Sequence, residues 1–180
     1  MEETICTQAI RNCINAKSRQ TKERDKAAEL LDIQILNNNL NENKILILSA
    51  DDLEVNNTLT GLCAMGVAAR HKKPVMLGRT TPDGKTIKGS IRNFDGSPLI
   101  DFKAFLNASH LIDYVEGHPG AAGFALPVKN LSQLINYANT ELKDMDFNEG
   151  YYEVDFVVNG NCSYLKDLIF DLNRGAKYWG

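Results

Sequence analysis

Two short stretches hold the residues best suited to chemistry. In "KGSIRN", residues 88–93, an extended backbone sends Lys88, Ser90 and Arg92 to one side and Gly89 and Ile91 to the other, because strand side chains alternate. An ammonium, a hydroxyl and a guanidinium fork in one row suit a phosphodiester: the arginine clamps two oxygens while the serine donates a hydrogen bond. A solvated strand face explains the same three residues without any ligand. Gly89 matters if another backbone packs behind it.

The second stretch, "EGHPGAAGF" at 116–124, packs three glycines, two alanines, a proline and a histidine into nine residues. Gly117, Gly120 and Gly123 allow close approaches barred to residues with a Cβ. Pro119 stiffens the bend and pushes His118 towards an extended conformation. The imidazole of His118 can donate to a phosphate oxygen or stack near a base. The plainer alternative is a tight turn entering a buried strand, with His118 structural. Read together, the two stretches point to another molecule approaching the backbone.

A third stretch, "GRTTPDGKT", imitates a phosphate-binding P-loop but has five residues between Gly78 and Gly84, one too many. Lys85 and Thr86 also open an alternating strand, where a P-loop must open a helix. It reads as a hairpin turn, with proline presetting φ and Asp-Gly supplying the left-handed position. Cys6, Cys13, Cys63 and Cys162 form no C-x-x-C pair and read as reduced packing thiols, Cys6 and Cys13 on one helix face. His71, His110 and His118 are the only histidines, and Asp51-Asp52 reads as a loop after a strand. No metal cage is expected here.

These residues need elements to position them. With 43% hydrophobic and 24% charged residues and a net charge of -3, the 180-residue chain is an ordinary globular one. It is not a general nucleic-acid coat protein, and any polyanion must be held by a local basic patch. No apolar run reaches a membrane span, and the acidic start "MEETICTQAI" is unlike a signal peptide, so a cytoplasmic location is expected.

Apolar spacing predicts a helix over 3–36 and an asparagine-rich linker at 37–43. "KILILSA" reads as a buried strand. The helix over 57–71 is expected to bury Leu59, Leu62, Cys63, Met65, Gly66 and Ala69. "KPVMLG" and "TIKGSIRNF" form a hairpin, "LIDFKAFLNASHLIDYV" is helical, and "AAGFALP" is a strand. Asn130 is expected to cap the helix "NLSQLINYANTELKDM", and "YYEVDFVV" and "SYLKDLIFDLNRG" read as a strand and a helix. The fold class is α/β, a mixed sheet flanked by helices. A long interdomain helix and linker (1–43) precede the main domain (44–145), and a small α+β segment starts at 150–180.

"KGSIR" followed by "GHPGAAGF" resembles the C-terminal, DHH-associated domain of the DHH phosphoesterase superfamily, in its RecJ-like single-stranded-DNA exonuclease branch. That family's pattern is roughly "KGSxRS", a helix, then "GGHxxAAGF". Gly117, His118, Ala121, Ala122, Gly123 and Phe124 match it. "TGLCAMGVAARHKKPVML" is similar to its small-residue helix and strand, and "INAKSRQ" to the start of its interdomain helix. The likeness spans about residues 14–145. Glu116 stands where the family has glycine, and Asn93 where it has serine.

The resemblance implies the substrate-binding part of a 5′-to-3′ single-stranded-DNA exonuclease with a place in DNA repair. Ser90 and Arg92 would hold a terminal or near-terminal phosphate with help from Lys88, and the Gly117-His118 loop would close over it. Arg19 would touch the backbone farther along. Cleavage would fall to a missing N-terminal domain holding two divalent ions, manganese or magnesium, so the chain alone is expected to cut nothing. Two other readings stay open: an oligonucleotide or cyclic-dinucleotide phosphodiesterase of the same superfamily, and a non-catalytic module docking nucleic acid or protein.

Overall fold

The computed structural model describes residues 2–54, 56–147, 157, 159–161 and 163–175. Contacts divide the chain into two units, Met1–Gly150 and Tyr151–Gly180. The first holds a five-stranded sheet in the order β1-β2-β3-β5-β4. Its strands are β1 (Leu46–Ser49), β2 (Val75–Thr80), β3 (Thr86–Arg92), β4 (Tyr114–His118) and β5 (Ala121–Pro127). β1 and β2 run parallel, joined through helix α2 (Thr60–His71); the other pairings are antiparallel.

The β2–β3 hairpin forms where its turn chemistry demands. Gly84 takes the left-handed conformation (φ 70°). Asp83 Oδ1 accepts hydrogen bonds from Thr81 Oγ1 at 2.6 Å and Lys85 N at 3.1 Å. The P-loop likeness is therefore a hairpin turn.

Over β3, β5 and β4 one sheet face is packed into the core, while over β1 and β2 the other face is packed too, with Val75 and Leu77 buried together with residues of α2. Phe124 pairs with Gly89, which pairs with Gly78, so its ring lies across two glycines. A methyl on Gly78 would meet Phe124 Cζ at 3.0 Å, and one on Gly89 would meet the Leu77 carbonyl oxygen at 2.0 Å. Another backbone does pack against Gly89. Ile91, Ala122, Phe124 and Leu126 are buried in one cluster with Phe102 and Leu106 of α3 (Phe102–Ala108) and Leu134 and Ala138 of α4 (Leu131–Glu141). Full burial of a side chain such as Phe124 stabilises by about 2–3 kcal/mol.

Helix α1 (Glu2–Asn37) is anchored through Ala27, Leu31 and Ile35, one turn apart and fully buried. Its earlier apolar residues Ile5, Ile10 and Ile14 are exposed. Asp32 ties α1 to the end of α2, its Oδ1 accepting from Arg70 Nη2 at 3.0 Å and lying 2.9 Å from His71 Nε2.

Several expectations change. Helix α2 buries Thr60, Gly61, Cys63, Ala64, Val67 and Ala68, while Met65 and Ala69 face out. It packs on both the sheet and α1, so its small residues go where backbones approach most closely. The helix expected through 115 ends at Ala108: Ser109 Oγ donates to the Leu106 carbonyl, His110 turns left-handed at φ 54°, and β4 follows. Asn130 stands at the N-cap position of α4 as expected, but its side chain makes no capping hydrogen bond: a 3-10 turn runs into the helix there, and Asn130 Nδ2 donates to the Leu111 carbonyl at 2.7 Å. Cys63 is buried, but Cys6 and Cys13 are exposed rather than packed.

In the second unit α5 (Leu165–Gly175) forms as expected, whereas "YYEVDFVV" lies, but for Val157, outside the described residues. No described helix is long and apolar enough to cross a membrane.

Candidate functional site

Strand register decides which side chains share the sheet's other face. Arg92 pairs with Ala121, which pairs with His118; Ser90 with Gly123, then Glu116; Lys88 with Ala125, then Tyr114. Directly opposed residues point the same way. Lys88, Ser90 and Arg92 on β3 therefore form one wall, and Tyr114, Glu116 and His118 on edge strand β4 the other. Between them β5 offers only Ala121, Gly123 and Ala125, a flat floor about 10 Å wide between the backbones of the walls, two strand spacings. A methyl on Gly123 would meet nothing nearer than 3.8 Å, so the floor is open there, whereas Ala125, between Lys88 and Tyr114, is buried.

The first turn of α2 closes over the β3 wall. A methyl on Gly61 would lie 2.4 Å from Arg92 Nη2 and 3.5 Å from Ser90 Oγ. Glycine at 61 is what lets the guanidinium rest there. Arg92 Nη1 donates to the Ile91 carbonyl at 2.7 Å. Burial draws the Arg92 pKa down, but a guanidinium stays charged at any ordinary pH. Among the described residues no carboxylate pairs with it.

A cleft of ≈ 480 Å³ adjoins the Lys88 end of this trough, lined by Thr60, Arg79, Lys88, Ser90 and Tyr114. A larger one, ≈ 1080 Å³, lies between α1 and Leu53, Glu54, Thr58 and Leu59 and is also lined by Lys17, Arg19, Gln20 and Arg79. Arg79 borders both. Its Nη2 donates to the Leu53 carbonyl at 2.8 Å, which fixes the loop between the clefts.

Asp51, read as a loop residue, staples that loop to β2. Its carboxylate accepts from Thr80 N at 2.8 Å, Thr80 Oγ1 at 2.9 Å and Ser49 Oγ at 3.0 Å. Burial alone would raise its pKa; the bonds from Thr80 and Ser49 and the charge of Arg79 outweigh that and hold it below the usual range.

The structure thus places Lys88, Ser90, Arg92 and His118 on one face, the last at an exposed strand end. Gly117 and His118 are not a loop but the end of β4. Gly117 pairs with Ala122 on the core side, at φ 137°, and a methyl there would lie 2.8 Å from the Ala122 Cα. Its role is close backbone approach. Arg19 lines the other cleft. Tyr114 and Glu116 join the site, the latter singled out from the sequence only as a charge standing where the family has glycine, and so do Gly61 and Arg79, neither of which was singled out. Alternation along "YVEGH" would have found the first two, had that stretch been read as a strand.

Among the described residues no group of three or more His, Cys, Asp or Glu is placed to hold a metal ion. A two-ion centre does not fit the side chains on this face.

No family model matches the chain. Two curated proteins match it at 36% identity over 179 residues, 98% of this chain. They are named as single-strand DNA-specific exonuclease YorK, from the SPbeta prophage of Bacillus subtilis (strain 168) and from Bacillus phage SPbeta. The chain spans 31% of their length. In fold it resembles RecJ from Thermus thermophilus in complex with Mg2+, with a TM-score of 0.58 and 19% identity over 87% of this chain and 23% of that one. An exonuclease RecJ bound to manganese matches at TM-score 0.52 and 20% identity, over 72% of this chain and 30% of that one.

Proposed function

We propose that this chain is part of a RecJ-like protein, within which it grips single-stranded DNA by its phosphate backbone for cleavage elsewhere. Arg92 and Ser90 hold a phosphate at or near the 5′ end, and Lys88 adds charge on the same wall. His118 borders the far end of the trough, and Gly117 keeps β4 close enough to β5 to form the second wall. Tyr114 offers a ring on which a base can stack. Arg19 and Lys17, on the adjoining cleft, take the backbone farther along. Two divalent ions would supply the activated water and stabilise the leaving oxygen. The side chains of this face do not fit such a pair, so that chemistry is assigned to a separate domain, and this chain alone is expected to cut nothing.

One observation carries the reading: a hydroxyl, an ammonium and a guanidinium without a carboxylate partner share an open face over a floor of small residues. Charged hydrogen bonds of this kind contribute roughly 1.5–3 kcal/mol. Titration of a labelled single strand should therefore show Arg92→Ala binding at least about tenfold more weakly. Wild-type affinity should fall as salt rises. Equal binding by the two proteins would contradict the reading.

A further inference from the structure

Helix α2 covers the trough face of β2 only as far as Leu77. On that face Val75 and Leu77 are buried, while Arg79 is partly exposed. At this end the open face is therefore one strand wider, and a row there reads Arg79–Lys88–Ala125–Tyr114. Two cations stand directly opposed in it, and like charges so placed repel. Both line the cleft of ≈ 480 Å³, together with Ser90 and Tyr114.

The carboxylates nearby are committed elsewhere. Arg79 donates to the Leu53 carbonyl at 2.8 Å and feels the charge of Asp51, whose oxygens accept from Thr80 and Ser49. Lys88 feels the charge of Asp83, which accepts from Thr81 Oγ1 and Lys85 N. Glu54 is paired with Lys26, and Glu116 stands on the far wall, one row nearer Arg92. Lys103 and His118 belong to the opposite end. Lys103 Nζ donates to the Gly117 carbonyl at 3.0 Å, and His118 shares the row of Arg92.

An anion between Arg79 and Lys88 turns their repulsion into attraction. The phosphate held by Arg92 is too far away to be that anion. Lys88 and Arg92 are four residues apart on β3, about 13 Å along an extended chain. Arg92 is also held at its own end by its bond to the Ile91 carbonyl and its fit against Gly61. A second phosphate of the same strand meets the requirement, and the Tyr114 ring across the row offers its base a stacking surface. Arg79 lines the larger cleft along α1 as well, so a strand leaving this row has Lys17 and Arg19 ahead of it.

We propose that Arg79 and Lys88 form a second phosphate site, which takes an internal phosphodiester farther along the strand than the phosphate at Arg92 and Ser90. The inference rests on the phosphate-gripping reading above and deepens it: the strand lies lengthwise along β3, and Arg79 leads it from the trough into the α1 cleft.

Two 5′-phosphorylated oligothymidylates, a dinucleotide and a hexanucleotide, separate the sites, because the shorter one ends before the second row. Their affinities for the 180-residue chain can be read by NMR titration at several salt concentrations. The wild type is expected to bind the hexanucleotide about tenfold more tightly, the effect of one further charged contact. Arg79→Gln and Lys88→Met should each remove most of that preference. Each should also lower the salt slope of hexanucleotide binding by about 0.7, the share of one phosphate on a single strand. Lys88 is exposed, so Lys88→Met keeps the fold and carries the test alone if Arg79→Gln loosens the loop at Leu53. Arg92→Ala should weaken both probes. A hexanucleotide preference that Lys88→Met leaves intact, or that the wild type lacks, with Arg92→Ala still weakening both probes, overturns the inference and leaves the reading standing. Binding that Arg92→Ala does not change, or no binding of either probe, overturns both.

Discussion

The two faces of β5 are made by the same seven residues, "AAGFALP", yet they do opposite work. Ala122, Phe124 and Leu126 point into the core and are buried. Ala121, Gly123 and Ala125 point to the trough, where their smallness keeps it flat, though only Ala121 and Gly123 are partly exposed and Ala125 is buried. The same division runs through β3, with Gly89 and Ile91 on the packed side and Lys88, Ser90 and Arg92 on the open one. A two-residue period lets one strand serve stability and recognition at once, provided each face is held to its own rule: tight contact on one, vacancy on the other.

The largest effect should come from breaking the packed face. Phe124→Ala removes a fully buried ring and is expected to cost about 3–5 kcal/mol of stability, read by chemical denaturation. A loss below about 1 kcal/mol would mean that this face does not carry the fold.

Two glycines then sharpen the contrast. Gly89→Ala would drive a methyl to 2.0 Å from the Leu77 carbonyl oxygen, so the strands must part, at about 1–3 kcal/mol or more. Gly123→Ala has room and should leave stability within about 1 kcal/mol of wild type, while the methyl rises into the trough and weakens single-strand binding severalfold. Melting and binding measured on both variants would expose the reverse pattern if the faces were wrongly assigned.

The smallest effect concerns the tie between α1 and α2. Burial would raise the Asp32 carboxyl, but hydrogen bonds from His71 and Arg70 outweigh it and hold its pKa below the usual range. A depressed carboxyl stabilises above its unfolded pKa of about 3.9 and loses that contribution as pH falls through the lower folded value. Asp32→Asn should therefore destabilise at pH 7 by less than about 1 kcal/mol, since the pair is partly solvated. The difference from wild type should vanish in acid. A difference that persists at the lowest pH would assign it to packing.

Much of this contrast was legible in the sequence where local pattern and tertiary structure agree. "TIKGSIR" alternates cleanly, and "PDG" carries its own turn chemistry, so β3 and its polar face follow from the residues alone. β4 did not, because Leu111, Ile112 and Val115 fit a helical spacing as well as a strand. The choice was made by pairing with β5 and by a left-handed His110, neither of which is local. The buried face of α2 was misjudged for a related reason. One-sided periodicity assumes one partner, and this helix has two.

The central claim is that single-stranded DNA lies on the open face. Mapping backbone amide shifts of the chain on addition of an unlabelled single strand tests it most directly. The account predicts the largest changes at residues 88–92, 114–118 and 121–125. Changes confined to α5 or to the exposed first half of α1, with those three strands unmoved, would contradict it.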